Sequence, residues 1–107
     1  MQRKSKYQNK RCEFGGKKFP SLKEMNRYKE LLTMEHGGHI FDLQTQVRFV
    51  LVEDKAAKFK LVYVADFVYL NYKNEQIVED CKGFRTAVYK QKAKIMLNKF
   101  GIVIKET

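Results

Sequence analysis

The stretch from Leu61 to Gly83, LVYVADFVYLNYKNEQIVEDCKG, constrains the fold more than any other part of the chain. Two runs of β-branched and aromatic residues flank a polar turn (Asn71, Lys73, Asn74, Glu75), the pattern of two adjacent strands. Each run carries a carboxylate where a strand interior ordinarily carries an apolar side chain. Side chains alternate faces along a strand, which predicts Val62, Val64, Asp66 and Val68 on one face of the first run and Val78, Asp80 and Lys82 on one face of the second. Pairing as a hairpin would then bring Asp66 beside Asp80 and Lys82. Such a cluster is costly to bury without a counter-ion or a task. Glu79 points to the opposite face, so Asp80 is the candidate of that pair.

At 107 residues the chain is long enough for one domain with a modest core. Hydrophobic residues make up 44% of it, with eight Phe and six Tyr, which excludes a disordered tail. The 22 Lys and Arg against 12 Asp and Glu leave a formal charge of +10. That excess predicts a polyanionic partner, nucleic acid before a membrane surface, because no basic amphipathic helix and no long apolar run dominates the sequence. A cytoplasmic protein is expected. Cys12 and Cys81 lack CxxC spacing, so the thiols are expected to be reduced and inert.

The N-terminal arm, residues 1–19, gathers Arg3, Lys4, Lys6, Lys10, Arg11, Lys17 and Lys18, and reads as a phosphate-contacting segment around a small hairpin turned by Gly15-Gly16. Residues 20–107 form the core. Ser21 caps a helix to about Glu35, with Met25, Tyr28, Leu31 and Leu32 as its apolar stripe and Gly37-Gly38 as its stop. Glu24, three residues after Ser21, is explained locally as the return half of a capping box. His36 and His39 have HxxH spacing but no clustered acids or thiols, and read as surface residues at a helix end. A strand follows from Ile40 to Glu53, with Val47, Phe49 and Leu51 on one face and Gln46, Arg48 and Val50 on the other. After the two central strands a second helix runs from near Thr86 to about Lys99. Val88 or Tyr89, Ala93, Met96, Leu97 and Phe100 form its apolar side, and Lys90 and Lys94 are among the lysines that make the rest basic. Ile102 to Ile104 should be a last strand, apolar enough to be buried on both faces. The expectation is an α+β domain: one mixed sheet flanked by two helices, with an N-terminal hairpin.

Two carboxylates on one face can hold Mg²⁺, with Mn²⁺ as a substitute, through oxygen ligands. Such a metal lowers the pKa of a water and offsets charge on a phosphate under attack. A lysine two residues beyond the second acid shares its face and can orient the attacking water.

The residues Glu24, Asp66 and Asp80-Cys81-Lys82 resemble the signature of the PD-(D/E)xK nuclease superfamily, with the first-helix glutamate of its Holliday-junction-resolvase and transposase-endonuclease branches. The phrases KYQNKRCEFGGKKFPSLKEMNRYKEL, YVADFVY, VEDCKGF and TAVYKQKAKI are similar to a family of small, mostly phage-encoded proteins of that superfamily. The resemblance spans nearly the whole chain. It implies an αβββαβ, restriction-endonuclease-like core and metal-dependent cleavage of DNA; branched or junction DNA fits the small size, the absence of an appended specificity domain, and a basic arm and second helix that could follow phosphates without reading bases. It further implies Asp66, Asp80 and the Cys81 main-chain carbonyl as metal ligands, Lys82 as the catalytic lysine, Glu24 assisting the metal and Gln46 as an accessory. Two positions depart from the pattern: Ala65 stands where a proline is common, and the second acid is Asp80 rather than a glutamate.

Read purely structurally, Asp66 is a strand-edge aspartate and Asp80–Lys82 a solvated ion pair, a nearly neutral arrangement. A rival from another class is a non-catalytic nucleic-acid-binding module in which the cations act and the acids are structural. A third is a degenerate nuclease serving as a subunit. Junction resolution would also call for a homodimer, for which Ile102–Ile104 is the candidate edge.

Overall fold

The computed structural model describes residues 12–82 and 84–107. Glu13–Phe14 (β1) and Lys17–Lys18 (β2) pair antiparallel as a separate two-stranded sheet. Gly15 and Gly16, at φ 60° and 80°, supply the two left-handed residues that this tight turn needs. The rest of the arm, with Arg3, Lys4, Lys6, Lys10 and Arg11, lies outside the described residues.

Helix α1 spans Leu22–His36, and Ser21 caps it by accepting the Glu24 amide at 3.1 Å. Three antiparallel strands follow, β3 (Phe41–Asp54), β4 (Phe59–Leu70) and β5 (Gln76–Asp80). Helix α2 spans Ala87–Phe100, capped by Thr86 and closed by Gly101 at φ 69°. Strand β6, Lys105–Glu106, returns parallel to β5, giving a mixed sheet in the order β3-β4-β5-β6. This is the expected α+β layout, α-β-β-β-α-β behind an N-terminal hairpin. Among the described residues no helix is long and apolar enough to cross a membrane.

The helices cover opposite faces of the sheet. Met25, Tyr28 and Leu31 of α1 pack with Phe67 and Tyr69, and Phe19 joins them from the hairpin side. Tyr89 and Met96 of α2 pack with Leu51, Tyr63, Ala65, Val68 and Val78. Burying such side chains contributes roughly 1.5–3 kcal/mol each, which fixes both helices to the sheet.

Three expectations need correction. Ala65 and Phe67 are two residues apart yet belong to clusters on opposite faces, so β4 changes parity at Asp66. Val62 and Val64 therefore do not share a face with Val68; Tyr63 and Ala65 do. β3 changes in step, Leu43 packing in the first cluster and Val47 in the second, with Gln46 between them at φ 54°. A left-handed residue inside a strand turns the following side chains over, which strict alternation does not anticipate. The last strand begins at Lys105 rather than Ile102, and Val103 is 76% exposed; Ile102 and Ile104 alone pack inward. On α2 the stripe is narrower than expected, because Val88, Leu97 and Phe100 are exposed and Tyr89 and Met96 carry the contact.

Candidate active site

The parity change gathers the site. One step beyond the Phe67–Glu79 pair, the register sets Asp66 on β4 opposite Asp80 at the end of β5. Asp66 Oδ2 accepts the backbone N–H of Cys81 at 2.8 Å, which ties the carboxylate to the point where β5 ends. Asp80 is 2% exposed, and both of its oxygens are held. Oδ2 accepts the Tyr63 hydroxyl at 2.5 Å, and Oδ1 lies 3.1 Å from Lys82 Nζ. The ammonium of Lys82 also sits 4.6 Å from the centroid of the Tyr89 ring, so acid and ring hold it from two sides.

Glu24 reaches the same point from α1. It is 4% exposed, and its Oε2 accepts Gln46 Nε2 at 3.1 Å. The capping-box reading therefore accounts for only half of Glu24: its amide serves Ser21, while its carboxylate turns inward to Gln46 and Asp66. Gln46 approaches from β3 at the left-handed residue already noted, a conformation that costs about 1–3 kcal/mol and persists where its surroundings enforce it. Glu24, Gln46, Asp66, Asp80 and Lys82 are thus brought together from four elements and the segment after β5.

Crowding of acids shows in their protonation. Burial, then the Asp66 and Asp80 carboxylates, pushes Glu24 up to about 7, with Lys82 pulling the other way. Burial also raises Asp66, opposed by the Cys81 N–H bond and reinforced by Asp80. Burial and the Asp80 carboxylate raise the Tyr63 phenol, which keeps it the donor in their bond. Burial raises the Cys81 thiol, and both cysteines are free, as expected.

Fully ionised, three carboxylates against one ammonium leave a charge of −2, which a divalent cation would balance. The donors are all oxygen, the chemistry of Mg²⁺ or Mn²⁺ sites. Among the described residues, however, no group of three or more His, Cys, Asp or Glu side chains is disposed to hold a metal ion directly. The donor chemistry and the charge fit such a cation. Each carboxylate oxygen keeps a second lone pair beyond the bonds described.

A family model described as "Protein of unknown function (DUF1064)" matches residues 4–106. The chain belongs to this family. No curated protein and no solved structure matches this DUF1064 member.

Lys17 and Lys18 are on β2 of the hairpin, and Lys90 and Lys94 are exposed on α2, beside an open groove of about 320 Å³ that Leu97 and Ile102 also line. His36 and His39 are exposed at the end of α1, as expected.

Four further residues of this DUF1064 chain were not legible as site components. Tyr63 was hidden by parity, since strict alternation puts it on the face away from Asp80. Tyr89 was assigned to the apolar stripe alone. Arg27 and Tyr69 attend Glu79, the acid next to Asp80: Arg27 Nε and Nη2 lie 2.9 and 2.7 Å from its two oxygens, and the Tyr69 hydroxyl donates to one of them. Burial opposes ionisation of Glu79, but these bonds outweigh it and hold its carboxyl below the usual range. A buried glutamate beside a strand-end aspartate is a signal for an arginine on the covering helix. Glu24 and Arg27, three residues apart, share that helix face.

Proposed function

We propose that the protein is a metal-dependent endonuclease that hydrolyses phosphodiester bonds in DNA, with branched or junction DNA as the substrate class. The convergence of Glu24, Asp66, Asp80 and Lys82 from separate elements onto one point supports this reading. The resemblance of these residues to the PD-(D/E)xK pattern and the formal charge of +10 support it further.

Asp66, Asp80 and the Cys81 carbonyl would hold the cation, with Glu24 assisting. A divalent cation there supplies an acidified water and positive charge against the phosphate. The chain's own groups do the positioning. Cys81 N–H and Tyr63 hold the two aspartates in place, and Gln46 aims Glu24. Lys82, held beside Asp80 by the Tyr89 ring, orients the attacking water and contacts the scissile phosphate. Glu24, easily protonated at neutral pH, can take up a proton near the reacting water.

A second reading, a binding module or degenerate subunit, draws on the Lys82–Asp80 ion pair and on the formal charge of +10. One experiment separates the two. Cleavage is measured on four-way junction, flap, single-stranded and linear duplex DNA with Mg²⁺, Mn²⁺ or EDTA, wild type beside Lys82→Ala and Asp80→Asn. Metal-dependent cutting that both variants abolish, with binding retained, is the expected result. Binding to every substrate with no cutting in either metal would favour the second reading.

A further inference from the structure

On the α1 side of the site a cleft of about 300 Å³ opens directly beside Cys81, lined by Lys23, Asn26, Arg27, Glu30 and Thr107. Its polar groups are unequal. Arg27 is committed to Glu79 and to Glu30, whose Oε1 lies 2.9 Å from Nη1, and with Lys105 Nζ 4.0 Å from Glu79 two cations offset these two carboxylates. Lys23 is different: it is exposed, and among the described residues it has no carboxylate within ion-pair distance. Its ammonium donates instead to the main-chain carbonyl of Lys82 at 3.3 Å. That bond fixes a positive charge one residue past the Cys81 carbonyl, at the rim of the acid cluster. Asn26, one helical turn on, adds a neutral amide donor to the same cleft.

We infer that this cleft is a second phosphate subsite, in which Lys23 and Asn26 take the backbone phosphate next to the scissile one. The inference rests on the nuclease reading for the identity of its ligand and deepens it. A cation paired only with a neutral carbonyl can exchange that weak bond for a charge-assisted one to phosphate, roughly twice as strong. Asn26 gives direction without charge. The subsite meets Lys82 at its carbonyl from α1, while Tyr89 of α2 holds its ammonium, so the two helices reach Lys82 at different groups.

The test is anisotropy of labelled single-stranded and duplex oligodeoxynucleotides on the full chain, in EDTA, over about 50–200 mM salt. Lys23→Gln is expected to flatten the slope of log affinity against log salt by about 0.7–0.9, the share of one phosphate contact. Lys23→Arg should restore it, and Asn26→Ala should weaken binding at unchanged slope. Lys55→Gln, in the β3–β4 turn far from the cleft, is the reference for a bystander lysine. A Lys23→Gln slope no flatter than that of Lys55→Gln, or wild type that binds without salt dependence, overturns the subsite. The readout needs no cleavage, so the two ideas can fail separately. Wild type that cuts DNA while Lys23→Gln matches the bystander sinks the subsite alone. Wild type that cuts nothing while the Lys23 effect stands sinks the nuclease reading alone.

Discussion

Replacing Arg27 with Met should be among the most damaging single changes, and its cost should depend on pH. The substitution keeps an unbranched, helix-compatible side chain on α1 but removes both bonds to Glu79, whose side chain is fully buried. Breaking a buried pair from one side typically costs about 3–5 kcal/mol, because a charge is left without compensation. Two groups remain near Glu79, the Tyr69 hydroxyl and Lys105 Nζ at 4.0 Å, and the second is half in water. They keep the figure inside that range rather than above it. The orphaned acid also has an escape: it can take a proton. In the wild type, pairing holds the Glu79 pKa below its unfolded value, so the pair contributes stability above the unfolded pKa and loses it as pH falls. In Arg27→Met the folded pKa moves above the unfolded one, and stability is instead lost as pH rises. The penalty should therefore be about 1 kcal/mol near pH 4.5, where the orphaned acid of the variant can take a proton, and about 4 kcal/mol near pH 8, with Tm lower by roughly 15 °C. Urea unfolding at the two pH values reads it directly. The triple variant Arg27→Met/Tyr69→Phe/Glu79→Leu, with no buried charge left at position 79, should recover most of the loss at pH 8. A penalty under about 1 kcal/mol at pH 8, or one that does not grow between the two pH values, would refute the reasoning.

Other outcomes follow from the site. With its folded pKa raised to about 7, Glu24 makes metal-free protein less stable as pH rises from about 4.5 through 7, by up to about 3 kcal/mol. Mg²⁺ should therefore raise Tm more at pH 8 than at pH 5.5 and release protons on binding, and calorimetry in two buffers checks this. Gln46→Gly relieves the left-handed strain that Gln46→Ala retains, so the Gly variant should be about 1 kcal/mol the more stable of the two in urea. Both should lose cleavage, since neither can hold Glu24. Tyr63→Phe removes the hydroxyl from a buried carboxylate and should cost about 1–3 kcal/mol of stability while weakening metal dependence, read by Tm and by a Mn²⁺ titration of cleavage.

Much of this protein follows from local chemistry. Ser21 and Thr86 announce the helix starts because their hydroxyls can satisfy free amides, and Gly101 announces a helix end because it adopts a left-handed backbone cheaply. Period-two runs mark β3 and β4, and the polar turn at Asn71–Glu75 sets the register that places Asp66 opposite Asp80. Asp66 and Asp80 were legible as candidates because charge inside apolar runs is costly and therefore conspicuous, Lys82 because two residues along a strand return to the same face, and Glu24 only through the resemblance. Tertiary structure decided what alternation and spacing could not. The parity changes at Gln46 and Asp66 are features of the paired backbones of β3 and β4, and the one in β4 puts Tyr63 on the same side as Asp80. The inward turn of the Glu24 carboxylate, the Arg27–Glu79 pair and the position of Lys23 on the Lys82 carbonyl each join residues more than twenty positions apart. Contacts of that kind arise from packing a helix on a sheet, which a local pattern does not encode, whereas caps, turns and strand periods are settled by neighbours in the chain.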